Sequence, residues 1–189
     1  MCFAATPPDE QELGIPGILI RSALIKDNYK IMSMKAYYDK IIFLDIDGVL
    51  NSDNSIKNSS HLKQFADMPS ASMVGNLNYI IEETEAKICV SSSWRYIFKL
   101  MPLQYLLYLC GVKPHDVIVG VTPVTKLSGN RGMDIRAWLD CNSTKRFVIL
   151  DDNDDVGNLI YFLVQTDHTY GLTKKDADKA IAVLRGYKT

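Results

Sequence analysis

The sequence predicts an α/β domain with a mainly parallel five-stranded sheet and helices on both faces. The first observation behind this is alternation. From Tyr38 to Gly186, short apolar runs bounded by turn formers alternate with segments whose apolar residues recur at helical spacing. The second is where the polar residues fall. Three of the apolar runs end in paired polar residues: Asp45 and Asp47, Ser91 and Ser92, Asp151 and Asp152. In a parallel sheet the carboxyl ends of strands gather in one crevice, where the strand order reverses, so these residues are expected to meet.

The elements follow in order. Residues 1–37 read as an N-terminal extension, weakly structured or a peripheral helix, and 38–189 as the working domain. Leu13 to Ile25 is fairly apolar, but Gly14, Pro16, Gly17 and Arg21 interrupt it. Asp9, Glu10 and Glu12 precede it, where a signal peptide carries positive charge. Ile41 to Leu44 is the first strand, running into Asp45, Ile46, Asp47 and Gly48. At a period of two, Asp45 and Asp47 project from the same side of an extended chain, and two such carboxylates repel unless a cation holds both. The polar segment that follows Asn51 suits a flap or short insertion. His61 lies in it and reads as a solvated loop residue, with no second His or Cys spaced to make it a metal ligand.

Met73 to Glu85 is an amphipathic helix with Met73, Leu77, Ile80 and Ile81 on one face and Ser70 or Ser72 as its cap. Ala86 to Val90 is the second strand. It runs into Ser91, Ser92, Ser93, Trp94 and Arg95, with Trp94 read as a packing residue and Arg95 as a surface arginine. Pro102 to Cys110 is a helix with proline in its first turn and Gly111 at its end. Val117 to Val121 is the third strand, Thr122 to Asn130 a short loop, and Gly132 to Cys141 a helix. Arg146 to Leu150 is the fourth strand and Tyr161 to Val164 the fifth. The last helix opens at Thr173 or Lys174 and buries Ala177, Ala180, Ile181 and Leu184.

Composition narrows the function. The net charge of −1 gives no global field to draw nucleic acid and leaves room only for a local basic groove. No apolar run approaches the roughly 18 residues of a membrane-spanning helix. Cys2, Cys89, Cys110 and Cys141 show no metal-binding spacing, which points to a reducing cytoplasm without structural disulfides.

The stretch KIIFLDIDGVLN, Lys40 to Asn51, resembles the first signature of the haloacid dehalogenase (HAD) phosphatase superfamily, Asp-x-Asp-Gly-(Val/Thr)-(Leu/Val). The Ser run resembles the second, a strand ending in a hydroxyl that binds phosphate. Ser91 is placed first there, because it directly follows the apolar run, and Ser92 second. The third is a cation near the start of the helix before the fourth strand: Arg131, in GNRGMDIRAWLD, with Lys126 as competitor. The fourth is the acidic pair of VILDDNDD, with Asp152 as direct metal ligand and Asp151 behind it or exchanging roles with it. Asp154 and Asp155 are expected to cap the next helix. In detail SSSWR, RGxxIxxWL, ILDD and GLT look like the HAD branch named for Swiss-Army-knife RNA-repair proteins.

The resemblance implies a HAD-like Rossmannoid three-layer sandwich with little or no cap domain. It also implies a magnesium-dependent phosphomonoester hydrolase. Magnesium would take Asp45, the backbone carbonyl of Asp47 and Asp152. Asp45 would be the nucleophile and Asp47 the general acid and base. Without a cap the crevice is open, which points to a phosphate on a macromolecule, either a nucleic-acid end or a phosphoprotein. A nucleotide or small-metabolite phosphatase, and a non-catalytic binding module on a HAD shell, are the alternatives. His168, in TDHTYGLT, reads as a turn residue or as part of the crevice rim.

Overall fold

The computed structural model describes residues 35–58, 68–125 and 130–187. The expectations for residues 1–34, His61 and Lys126 lie outside the described residues. Strand β1 (Tyr37–Leu44) is followed by the short helix α1 (Asp53–Asn58) and by α2 (Ala71–Thr84). Next come β2 (Lys87–Val90), a 3-10 turn at Ser93–Tyr96, α3 (Leu100–Leu109) and β3 (Ile118–Val121). Helix α4 (Arg131–Cys141) leads to β4 (Ser143–Asp151), a second 3-10 turn (Gly157–Phe162), β5 (Leu163–Gln165) and α5 (Lys174–Arg185).

The strand order is β3-β2-β1-β4-β5, and all four neighbouring pairs are parallel. The chain builds outward from β1 to β3, then crosses back to β4 on the other side of β1. The order therefore reverses at the carboxyl end of β1, the place where α/β sheets hold ligands.

Period-two alternation sorts the sheet's side chains between two cores. Ile42, Leu44, Ile88, Val90, Val148 and Leu150 face one way, under α2, α3 and α5. Ile41, Phe43, Cys89 and Ile149 face the other way, against Ile135 and Trp138 of α4 and Leu159 of the second 3-10 turn. Trp138 meets the ring of Phe43 edge-on at 5.3 Å. The result is three layers, as expected. Among the described residues, no helix is long and apolar enough to cross a membrane.

Several boundaries move. β1 and β4 both start earlier than their apolar runs, because Tyr37, Tyr38 and Lys40 pair with Ser143, Thr144 and Arg146 beyond the buried half of the sheet. Hydrophobicity marks only that buried half. Tyr161 and Phe162 belong to the 3-10 turn, so β5 keeps only three residues. Helix α3 begins two residues before Pro102, which then sits in the first turn, where its missing N–H costs nothing. Thr173 caps α5 through a reciprocal capping box with Asp176. Cys89 and Cys110 are free thiols.

Candidate active site

The ladder of the sheet runs one step past the strand ends. Asp45 N–H donates to the carbonyl of Leu150 at 2.9 Å, Ser91 N–H to Leu44 at 2.8 Å, and Thr166 N–H to Asp151 at 2.9 Å. These bonds fix the polar ends of β1, β2 and β4 side by side. A carboxylate oxygen from each of Asp45, Asp151 and Asp152 then lies within 4.8 Å of the others. Asp45 and Asp151 are buried and Asp152 is half-buried.

Arg131, the first residue of α4, reaches into this cluster. Its Nη2 lies 2.8 Å from Asp45 Oδ2 and its Nε 3.2 Å from Asp151 Oδ2. It also donates to the Ser91 carbonyl. With all three ionised, three carboxylates against one guanidinium leave two negative charges, which is the charge of one divalent cation. Burial pushes the Asp45 carboxyl above its ordinary value, opposed by Arg131 and a hydrogen bond from Ser92. Burial, then repulsion from Asp45, pushes Asp151 up to about 7, with Arg131 opposing.

The shift of Asp151 carries a stability prediction. Its folded value stands above the unfolded one of 3.8, so its stabilising contribution is complete below that pH and is lost as pH rises through about 7. In a chelator, the wild-type chain is expected to lose thermal stability across this interval relative to Asp151→Asn. Parallel melting profiles for the two proteins would contradict it.

Asp47 lies at the rim, exposed, and both its oxygens are held. Asn51 Nδ2 donates to Oδ1 at 2.8 Å and Trp94 Nε1 to Oδ2 at 3.0 Å. Gly48 follows with φ of 74°, a conformation that favours glycine. A Cβ built there would stand 2.5 Å from Asp152 Oδ2. Gly48→Ala is therefore expected to push Asp152 away and to cost about 1–3 kcal/mol of stability, read by urea unfolding. An unchanged midpoint would contradict this packing.

The two serines differ. The Ser92 hydroxyl bonds the Asp45 carboxylate and accepts from Trp94 N–H at 3.3 Å. The Ser91 hydroxyl is fully buried with no hydrogen-bond partner among the described residues. Arg95 is not the surface arginine expected from the sequence. Its side chain is 4% exposed, with Nη2 2.6 Å from Asp134 Oδ2 and Nη1 2.8 Å from the Ser92 carbonyl. Asp134, equally buried, also accepts from Thr125 N–H at 2.9 Å. This pair ties the Ser turn to α4, and so to Arg131.

Asp155 corrects another expectation. It faces back to α4, accepting from Arg131 N–H at 3.3 Å on its side chain and from Gly132 N–H at 3.2 Å on its carbonyl. The following 3-10 turn has no side-chain cap. Gly132 permits this approach, since a Cβ there would lie 2.2 Å from the carbonyl oxygen of Val156. Above the carboxylates lies a cleft of about 460 Å³. Ser52, Asp53, Ser93, Asn153 and His168 line it together with Asp45, Asp47, Arg131 and Asp152. His168 thus belongs to the rim. Asn51 and the Arg95–Asp134 pair escaped the sequence reading. Asn51 could have been found as a polar residue four positions after Asp47 in a tight turn; Asp134 has no local signal.

A parallel sheet whose reversal point gathers an Asp-x-Asp turn, a Ser turn, an arginine and an acidic pair defines a HAD-superfamily domain. The family model described as the HAD domain in Swiss Army Knife RNA repair proteins matches residues 41–177, more than half of the chain. The chain belongs to that family, whose domain points to phosphatase-type hydrolase activity. Comparison with curated proteins and with solved structures gives no match.

Proposed function

We propose that the chain is a magnesium-dependent phosphomonoester hydrolase that works through an aspartyl-phosphate on Asp45. The observation that carries this reading is the meeting of Asp45, Asp151 and Asp152 within 4.8 Å beside Arg131. The donor set fits the ion: it is all oxygen, anionic, and two charges short of neutral, as a small hard divalent cation requires. Asp45 and Asp152 would hold it, with Asp151 behind them and the carbonyl of Asp47 alongside. When bound, magnesium supplies positive charge to the carboxylates and to the phosphate oxygens.

The chain's own residues do the rest. An Asp45 oxygen forms a bond to phosphorus while the bond to the leaving oxygen breaks. Asp47, protonated, gives its proton to that oxygen. It then takes a proton from the water that attacks the aspartyl-phosphate, releasing inorganic phosphate and restoring Asp45. Arg131 binds the equatorial phosphate oxygens beside the nucleophile, with Lys126 as the second candidate cation. Ser91, whose hydroxyl has no partner among the described residues, is the first candidate to donate to the phosphate, and Ser92, whose hydroxyl already bonds Asp45, the second.

For the substrate, the open cleft and the family's RNA-repair description support a phosphorylated nucleic-acid end. A phosphoprotein is the second reading, favoured by the cleft lining: Asp45, Asp47, Asp53 and Asp152 face it, with Arg131 as its only Lys or Arg among the described residues. A nucleic-acid strand brings a negative charge with every phosphate. The test is a turnover screen with and without magnesium on 3′- and 5′-phosphorylated oligonucleotides, phosphopeptides, nucleotides and sugar phosphates. Metal-dependent release from oligonucleotide ends is the expected result. No metal-dependent release from any substrate would leave the chain a non-catalytic binding module.

A further inference from the structure

Resting on the hydrolase reading above, we propose that Trp94 is a positioning residue that aims Asp47 at the leaving oxygen. Asp47 is exposed, and an exposed aspartate without tethers samples several staggered rotamers. Both of its tethers are present here, but they differ in kind. Asn51 belongs to the same turn, since its Oδ1 accepts from Gly48 N–H at 2.9 Å, so it moves with Asp47. Trp94 comes from the end of another strand. It packs against the core and lies 5.9 Å from the ring of Phe98. Its indole N–H, 3.0 Å from Asp47 Oδ2, therefore ties the acid to the part of the site that holds Ser92.

The chemistry of the indole suits the task. It is a donor only, so it can orient the carboxyl but cannot take the proton that Asp47 must deliver. It occupies one lone pair of Oδ2 and leaves another for that proton. As the phosphorus–oxygen bond breaks, its electron pair goes to the leaving oxygen and the Asp47 proton follows. Trp94 gains and loses nothing in the step.

The experiment compares two esters with Trp94→Phe, which keeps a ring against Phe98 and removes the N–H. One is 4-nitrophenyl phosphate, whose leaving group departs as a stable anion and needs no proton. The other is an alkyl phosphate that the wild-type chain turns over, a 3′-phosphorylated oligonucleotide or a phosphoserine peptide. The quantity read is kcat/KM, which reports on formation of the aspartyl-phosphate. Trp94→Phe is expected to lose about tenfold on the alkyl ester and less than about twofold on the aryl ester, as a partial loss of general-acid catalysis requires. In an Asp47→Asn background the same substitution should cost nothing further, because nothing remains to be positioned. Benzothienylalanine at position 94, which replaces only the N–H with sulfur, should reproduce the pattern even if the Phe variant fails to fold. Equal losses on both esters, or an undiminished loss in the Asp47→Asn background, would overturn the assignment of Trp94 while leaving the hydrolase reading in place. A wild-type chain that turns over neither the aryl ester nor any alkyl phosphate would remove the hydrolase reading, and this one with it.

Discussion

Asp45→Asn is expected to abolish phosphate release while leaving the chain folded. Loss of a covalent nucleophile lowers turnover by about 10⁴-fold or more. The amide keeps the shape of the side chain but cannot form the aspartyl-phosphate. Stability should not suffer, because burial already penalises the ionised form of Asp45. The change also removes the repulsion that Asp45 exerts on Asp151, and Arg131 keeps Asp151 as a partner. Single-turnover phosphate release together with thermal unfolding checks both halves. Wild-type turnover in the variant would end the nucleophile assignment, and a collapsed fold would show that Asp45 is structural.

Arg95→Met is expected to give the largest loss of stability, about 3–5 kcal/mol, because it leaves Asp134 charged and unpaired in the interior. The two side chains are 4% and 2% exposed, so water cannot take over as partner. Urea unfolding of the single variant and of Arg95→Met with Asp134→Leu gives the contrast. The double variant should recover part of the loss, since two apolar residues replace two buried charges. Recovery stays incomplete because Thr125 N–H loses its acceptor. A single-variant loss below about 1 kcal/mol would match an exposed pair and refute the buried one.

The framework of the site was legible because it obeys local rules. An apolar run followed by Asp45, Ser91 or Asp151 marks a strand and its end together, and parallel topology then brings the ends to one place. What was not legible is non-local. Arg95 follows a Ser-rich turn and reads as solvated, yet its partner Asp134 lies 39 residues later, where an acid in the first helical turn reads as a partner for the helix dipole. Asp155 looks forward along the sequence but bonds backward to Arg131 and Gly132. The outer halves of β1 and β4 carry polar residues because they are held by each other rather than by the core.

The claim on which the rest depends is that Asp45 and Asp152, with Asp151 behind them, close around a divalent ion. Isothermal titration of the wild-type chain and of Asp152→Asn with magnesium tests it most directly. The expected result is saturable binding of one ion by the wild type and loss of that binding in the variant. Equal binding by both proteins, or none by either, would contradict it.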